Sequence, residues 1–152
     1  MEQEIGMDLS ILENIKLKFG LEDIDVNSYS PLSLAFIGDC VFDLVVKTVE
    51  VEKANRPAKA LHRKTSSIVK AVSQARMVER FLDNNELSNE ELAIYKRGRN
   101  AKSATTAKNA SVGDYRKATG LEALIGYLYL NNRTARVVEL IKTGMDLLKD
   151  KV

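Results

Sequence analysis

The sequence has little of what several classes of protein depend on. A single cysteine, Cys40, excludes an internal disulfide and a zinc cluster built from thiolates. A single histidine, His62, gives no support to a histidine dyad or a multi-histidine metal site. The longest apolar stretches, such as Cys40 to Val46 with Asp43 inside it, are far shorter than the roughly 18 to 20 residues that cross a bilayer. An internal disulfide, a zinc cluster of thiolates and a transmembrane helix are therefore excluded.

Length and composition are those of an ordinary globular protein. The 152 residues suit one domain, expected to span residues 1–152, and 45% are hydrophobic while 29% are charged. The acidic start, Met1 to Glu4, lacks the basic residues and apolar core of a secretory signal. We therefore expect a cytoplasmic protein.

The spacing of the apolar residues predicts an all-α fold with about seven helices. Apolar positions recur every three or four residues, and only two prolines and eight glycines interrupt them. Asp8 and Ser30-Pro31 have the residue types of helix starts, and Thr65-Ser66-Ser67 is predicted to break a helix. The expected helices run from Asp8 to Gly20, from Pro31 to about Glu50, from Pro57 to Lys64, from Ser66 to Asp83, from Ser88 to Gly98, from Tyr115 to Leu130 and from Thr134 to Lys149, with a loop from Asn100 to Gly113.

The two most apolar helices each contain an acid. Asp39 lies in the helix that begins at Pro31, and Glu122 lies in the helix that begins at Tyr115. Both helices are expected to be buried, and a buried carboxylate needs a partner because desolvation is costly. Neither helix offers a basic residue on the same face at three or four residues' spacing from its acid. If Gly38 and Gly120 or Gly126 let the helices approach closely, the two acids would meet and a magnesium ion would offset their repulsion.

Simpler roles remain open for each of these residues. Asp39 could brace a neighbouring helix end, and Glu122 could pair with a distant arginine. Asp43, one turn after Asp39, could join the site or pair with a base at the helix rim. Cys40 is most simply a small core residue, and His62 is best placed at the surface or packed against a loop.

Positive charge is concentrated in one segment of the chain. Residues 96–117 contain seven basic residues against the single acid Asp114, whereas the whole chain has a net charge of +2. A segregated basic segment is typical of a surface that contacts phosphate groups. The alternative is a solvated loop that charge keeps soluble.

Three motifs in order resemble the ribonuclease III catalytic domain, and specifically its Mini-III branch, which lacks a separate double-stranded-RNA-binding domain. The segment Leu34 to Val41, with Gly38-Asp39 at its centre, is similar to the family's signature helix. The segment Thr119 to Leu130, which contains Glu122-Ala123-Leu124-Ile125-Gly126, resembles its second acidic motif. Arg97 to Lys102 looks like the Mini-III basic loop motif, and the resemblance runs from about Ser30 to Leu148.

This resemblance implies a ribonuclease III-like helical bundle that cleaves double-stranded RNA with Mg²⁺. Asp39 and Glu122 would be the catalytic and metal-binding residues, and the products would carry 5′-phosphate and 3′-hydroxyl ends. Larger members of the family carry further acids where this chain has Leu32, Ala35 and Thr119. Thr119 would instead orient a water on the metal.

The resemblance also implies partners. Cutting both strands calls for a homodimer, and Phe36 resembles the aromatic residue that family subunits insert into one another, although an ordinary core phenylalanine fits the sequence equally well. The implied substrate is the stem of a large-subunit (23S) ribosomal RNA precursor, with ribosomal proteins assisting. The candidates for RNA contact are Arg97, Arg99, Asn100, Lys102 and Lys108.

Two other interpretations compete with a nuclease. The first is a non-catalytic helical double-stranded-RNA-binding module that lost activity with the missing acids. The second is a helical protein-interaction domain in which Asp39 and Glu122 are braced core acids.

Overall fold

The fold is a bundle of helices packed around one central helix. The computed structural model describes residues 9–102 and 111–149, and within these ranges it contains seven α-helices, one 3₁₀ turn at Val26–Ser28 and no strand. The prediction of an all-α fold is confirmed. The helices are α1 (Ile11–Phe19), α2 (Pro31–Lys53), α3 (Ala58–Val69), α4 (Ala71–Asp83), α5 (Asn89–Asn100), α6 (Val112–Leu130) and α7 (Thr134–Lys149).

Capping residues mark several helix ends. The Ser30 hydroxyl accepts a hydrogen bond from the Ser33 amide at the start of α2, as the Ser30-Pro31 pair predicts. Gly20 ends α1 in the left-handed conformation at φ 62°. The first helix begins at the cap Ser10, and the predicted cap Asp8 lies outside the described residues.

The predicted helix break at Thr65 to Ser67 is wrong. Helix α3 continues to Val69, and the chain turns at Lys70, whose backbone is extended. The Thr65 hydroxyl donates to the Leu61 carbonyl at 3.0 Å, and the Ser67 hydroxyl donates to the Lys64 carbonyl at 2.7 Å. A carbonyl oxygen has two lone pairs, so it can accept a hydroxyl as well as a backbone N–H, and the helix continues.

The predicted loop between Asn100 and Gly113 is too long at both ends. Helix α5 extends to Asn100, and α6 begins at Val112 behind the cap Ser111. Residues 103–110, which include Lys108, lie outside the described residues. None of the described helices is long and apolar enough to span a membrane.

Helix α6 lies at the centre and packs against α2, α4, α5 and α7. Leu124, Ile125 and Leu128 have no exposed surface, and glycines bring the backbones together at two crossings. A Cβ on Gly38 of α2 would overlap with α6, and a Cβ on Gly98 of α5 would lie 3.0 Å from the Gly120 Cα. The close packing requires glycine at these positions, because a side chain would push the helices apart.

The prediction that α2 is buried on all sides is only half right. Phe42 and Val46 are fully buried, but Leu32, Phe36 and Leu44 on another face are exposed. Cys40 is also exposed, so its prediction as a core residue is wrong. Because α2 is apolar nearly all round, its periodicity did not distinguish the core face from an apolar surface face.

Candidate active site

The crossing of α2 and α6 brings Asp39 to Glu122. A Cβ on Gly38 would overlap with the Glu122 carbonyl oxygen, and a Cβ on Gly126 would overlap with the Leu34 carbonyl oxygen. The two helix backbones are therefore in direct contact. Of the two glycines predicted to allow this approach from α6, Gly126 meets α2, whereas Gly120 packs against Tyr95 of α5.

The carboxyl group of Glu122 is strongly perturbed by its surroundings. Burial, then the charge of Asp39 and hydrogen bonding with Asp39, raise the pKa of Glu122 from its ordinary value of 4.5 to about 8. A hydrogen bond from Gln74 acts in the opposite direction, and the charge of Asp43 raises the pKa further. With its pKa near 8, the Glu122 carboxyl is mostly protonated at neutral pH unless a positive charge lies beside it.

Asp39 differs from the prediction in its exposure. It lies at the protein surface, whereas Glu122 is half-buried. The argument that both acids are desolvated is therefore wrong for Asp39, because α2 turns this side of its surface outward. The pair consists of one carboxyl anchored in the helix packing and one accessible from solvent, which an external substrate could reach.

The contacts of Asp43, Asp39, Glu122 and His62 decide between the alternatives left open for them. Asp43 lies at the rim and pairs with Lys47 of the same helix, with 3.4 Å between Oδ2 and Nζ. Within residues 9–102 and 111–149, neither Asp39 nor Glu122 forms a salt bridge with an arginine or lysine. His62 is exposed on α3, which confirms its prediction as a surface residue.

Gln74 is a site residue that the sequence analysis missed. It lies in the first turn of α4 with 2% of its surface exposed, and its Nε2 donates to Glu122 Oε2 at 3.4 Å. Gln74, Val78 and Phe81 form one buried stripe at helical spacing. An uncharged polar residue on an otherwise apolar stripe is the signal that would have found it.

The residues at this site fit a hard divalent cation. Carboxylate oxygens are the ligands that Mg²⁺ prefers, and it commonly takes one or two of them while keeping several waters. Asp39 and Glu122 supply two carboxyl groups whose mutual repulsion a cation would relieve. In the part of the chain that the structure describes, no group of three or more histidine, cysteine, aspartate or glutamate side chains is arranged to hold a metal.

Comparison with known proteins identifies the family. The sequence model of the family called Ribonuclease III domain matches residues 32–133, which include both acids. The chain belongs to the ribonuclease III family. Among its relatives is the Mini-ribonuclease 3 of Thermoanaerobacter sp., 44% identical over 93% of this chain and 96% of the relative. The Mini-ribonuclease 3 of Staphylococcus aureus is 38% identical over 86% of this chain and 97% of the relative.

A solved structure shares this helical fold. A crystal structure of a Fusobacterium nucleatum protein superposes with a TM-score of 0.71, at 28% identity, covering 84% of this chain and 98% of that one. The family match and these relatives make the chain an endoribonuclease of the ribonuclease III family, in its Mini-III branch.

The remaining predicted site residues of this ribonuclease III family chain have varied surroundings. Thr119 is buried, and its hydroxyl donates to the Tyr115 carbonyl at 3.0 Å. At the end of α5, Arg97 is exposed, and the Arg99 guanidinium lies 5.7 Å from the centre of the Tyr95 ring. The candidates Asn100 and Lys102 are exposed, and Lys108 lies outside the described residues.

The placement of Phe36 separates the two interpretations left open for it. Its side chain is 78% exposed on α2, beside Leu32 and one turn before Cys40, which is also exposed. It is therefore not an ordinary core phenylalanine. Together with exposed Leu32 and Leu44, it forms an apolar strip on α2, and such a strip favours a contact with another molecule.

Proposed function

We propose that this chain cleaves double-stranded RNA with Mg²⁺ held by Asp39 and Glu122. The observation that carries the proposal is the meeting of these two carboxyl groups, from different helices, where one is half-buried and the other is open to solvent. A bound divalent cation would polarise the scissile phosphate, activate the attacking water and stabilise the leaving 3′ oxygen. The expected products carry 5′-phosphate and 3′-hydroxyl ends.

The chain's own residues would do the rest. The Glu122 backbone packs against Gly38, and its carboxyl accepts a hydrogen bond from Gln74, so Glu122 would hold the cation from the protein side and Asp39 from the solvent side. Arg97, Asn100 and Lys102, which are exposed, would contact phosphates and 2′ hydroxyls, together with Arg99 and Lys108. Such binding recognises the shape and charge of A-form RNA and weakens steeply with salt.

The proposal includes a homodimer, with Phe36 in the interface. A twofold axis would give each strand of the duplex its own active site, and the exposed strip of Leu32, Phe36 and Leu44 on α2 supplies an apolar surface for the contact. We further propose the large-subunit (23S) ribosomal RNA precursor as the natural substrate, with ribosomal proteins assisting. This last proposal rests on the resemblance of the three sequence motifs to the Mini-III branch.

The test is a cleavage assay on an end-labelled RNA duplex with added Mg²⁺. Asp39→Asn and Glu122→Gln should each lower the rate by about 1000-fold, because each removes part of a several-kcal/mol stabilisation of the transition state. Glu52→Gln, which removes an exposed carboxyl from the same helix as Asp39, should leave the rate within about twofold. Chelation with EDTA should stop cleavage, and added Mg²⁺ should restore it.

Other outcomes would point elsewhere. Cleavage that survives both active-site substitutions would show that Asp39 and Glu122 do not hold the metal. Duplex binding without cleavage in the unmodified protein would favour the non-catalytic RNA-binding module. Neither binding nor cleavage would favour a protein-interaction domain.

A further inference from the structure

The Gln74 side chain connects the end of α3 to the candidate active site. Its Nε2 donates to the Val69 carbonyl at 2.8 Å and to Glu122 Oε2 at 3.4 Å. Val69 is the last residue of α3, where a helix leaves its final carbonyls without partners from its own backbone. One buried amide group therefore contacts both a helix end and a carboxyl oxygen of the site.

The Val69 carbonyl determines which way the amide faces. A carbonyl oxygen can accept a hydrogen bond from the amide nitrogen of Gln74 but not from its oxygen, so the nitrogen must face Val69. The nitrogen carries a second hydrogen, and Glu122 lies on that side. Gln74 therefore acts as a donor toward Glu122 and cannot reverse this role without losing its contact with α3.

The amide oxygen of Gln74 gives a second indication that the residue serves the site. Gln74 Oε1 is buried and has no hydrogen-bond partner among the residues that the structure describes. A buried amide oxygen left in this way costs about 1–3 kcal/mol, which an apolar side chain of similar size would avoid. A polar residue at this position is therefore unfavourable for packing alone, and its benefit must come from what the amide contacts.

We propose that Gln74 is a positioning residue that orients the Glu122 carboxylate for binding the divalent cation. The inference rests on the proposed function, since it assumes that Glu122 is a metal ligand. Hydrogen bonds to a ligating carboxylate fix its orientation, and removing such a partner commonly weakens metal affinity by about 10–100-fold. Gln74 acts through Glu122, because its Nε2 contacts one carboxylate oxygen and would leave the other for the cation.

Ser73 provides a matched control for this inference. It is the neighbouring residue on α4, it is also buried, and its hydroxyl donates to the Ser67 carbonyl of α3 at 2.6 Å. It therefore ties α4 to α3 as Gln74 does, but no hydrogen bond joins it to Glu122 within the described residues. Ser73→Ala removes a tie between the helices, whereas Gln74→Met removes a tie of the same kind together with the contact to Glu122.

The experiment measures metal binding without RNA. Mn²⁺ is titrated into the protein and the free ion is followed by electron paramagnetic resonance, for the unmodified chain, Asp39→Asn, Gln74→Met and Ser73→Ala. We expect Gln74→Met to weaken Mn²⁺ binding by about 10–100-fold and Ser73→Ala to change it by less than about threefold. Thermal unfolding followed by circular dichroism verifies that each variant is folded.

A second measurement needs no substitution. In the unmodified protein, the side-chain amide resonances of Gln74 should shift on Mg²⁺ addition, while those of Asn14, whose amide bonds to the Leu9 and Ser10 carbonyls, should stay in place. Unchanged Gln74 resonances at saturating Mg²⁺ would overturn the inference, as would unaltered Mn²⁺ affinity in a folded Gln74→Met variant. An equal loss in Ser73→Ala would also overturn it, since the effect would then come from the joining of α3 to α4.

The titrations also separate this inference from the proposed function. If the unmodified protein binds Mn²⁺ and Asp39→Asn abolishes the binding, the metal site stands and the result for Gln74→Met decides the inference alone. If the unmodified protein does not bind Mn²⁺, or Asp39→Asn leaves the binding unchanged, the metal site fails and the inference fails with it.

Discussion

Replacing Glu122 with glutamine should stabilise the metal-free protein near neutral pH. Glutamine keeps the shape of the side chain but cannot ionise, so it removes the repulsion from Asp39 and the cost of burying a charge. The pKa of Glu122 is raised from its ordinary value of 4.5 to about 8, chiefly by burial and secondly by Asp39. Folding therefore favours the protonated carboxyl of Glu122. The difference in the free energy of unfolding between Glu122→Gln and the unmodified protein should measure how much stability this preference costs near neutral pH.

The direction and size of the effect follow from linkage between protonation and folding. Below its ordinary pKa the carboxyl is neutral in the folded and the unfolded chain, so it costs the fold little. Between that value and about 8 the unfolded chain releases the proton while the folded protein retains it, so stability falls as pH rises. At about 1.4 kcal/mol per pKa unit this amounts to about 4 kcal/mol near pH 7.5 in a dry, rigid site, and water that reaches the half-buried carboxyl reduces it to about 2 kcal/mol.

The assay is urea unfolding in EDTA at about pH 5 and about pH 7.5. Glu122→Gln should exceed the unmodified protein by about 2 kcal/mol at the higher pH and by less than about 1 kcal/mol at the lower. Glu52→Gln, an exposed carboxyl on α2, controls for loss of negative charge and should shift stability by less than about 0.5 kcal/mol at either pH. A Glu122→Gln variant that is no more stable near pH 7.5, or that keeps the full pH dependence, would refute the reasoning.

Other substitutions test the fold and the dimer. Gly38→Ala should lower the free energy of unfolding by more than about 3 kcal/mol, because its Cβ would overlap with the α6 backbone. Gly113→Ala, in an open part of α6, should instead raise the free energy of unfolding by about 0.5–1 kcal/mol. Equal effects of the two variants in urea unfolding would contradict this. Arg136→Met leaves its buried partner Glu91 without a cation, so it should lower the free energy of unfolding by about 2–4 kcal/mol in the same assay. A loss under about 1 kcal/mol would count against this ion pair. Phe36→Asp should weaken dimerisation by at least about 100-fold in analytical ultracentrifugation. The control Phe19→Asp replaces a 76% exposed phenylalanine on α1 and should have no effect on dimerisation. A dimer that survives Phe36→Asp excludes this interface.

The sequence was most informative where local chemistry determines structure. Ser30-Pro31 and Gly20 fixed helix ends through caps that depend only on neighbouring residues. Gly38, beside Asp39, indicated the close approach that brings the two acids together, because only a residue without a side chain lets backbones touch. The juxtaposition of Asp39 and Glu122 could therefore be predicted before any coordinates.

What could not be predicted depends on contacts between distant segments. Helix α2 is apolar nearly all round, so nothing in its pattern revealed that Phe36 and Asp39 face outward. The break expected at Thr65 does not occur, because the Leu61 carbonyl accepts its hydroxyl as a second hydrogen bond and the helix continues. The apolar stripe could have marked Gln74 as unusual, but not that it contacts Glu122, which lies 48 residues away in the sequence.

The most direct test of the central claim, that Asp39 and Glu122 together bind the catalytic cation, is a crystal structure of the protein soaked in Mn²⁺. Anomalous diffraction locates manganese independently of the atomic model of the protein. We predict an anomalous peak about 2.0–2.6 Å from a carboxylate oxygen of each residue, the range of metal–oxygen bonds for such ions. Manganese bound elsewhere, with these two carboxyl groups in contact and no peak between them, would contradict the account.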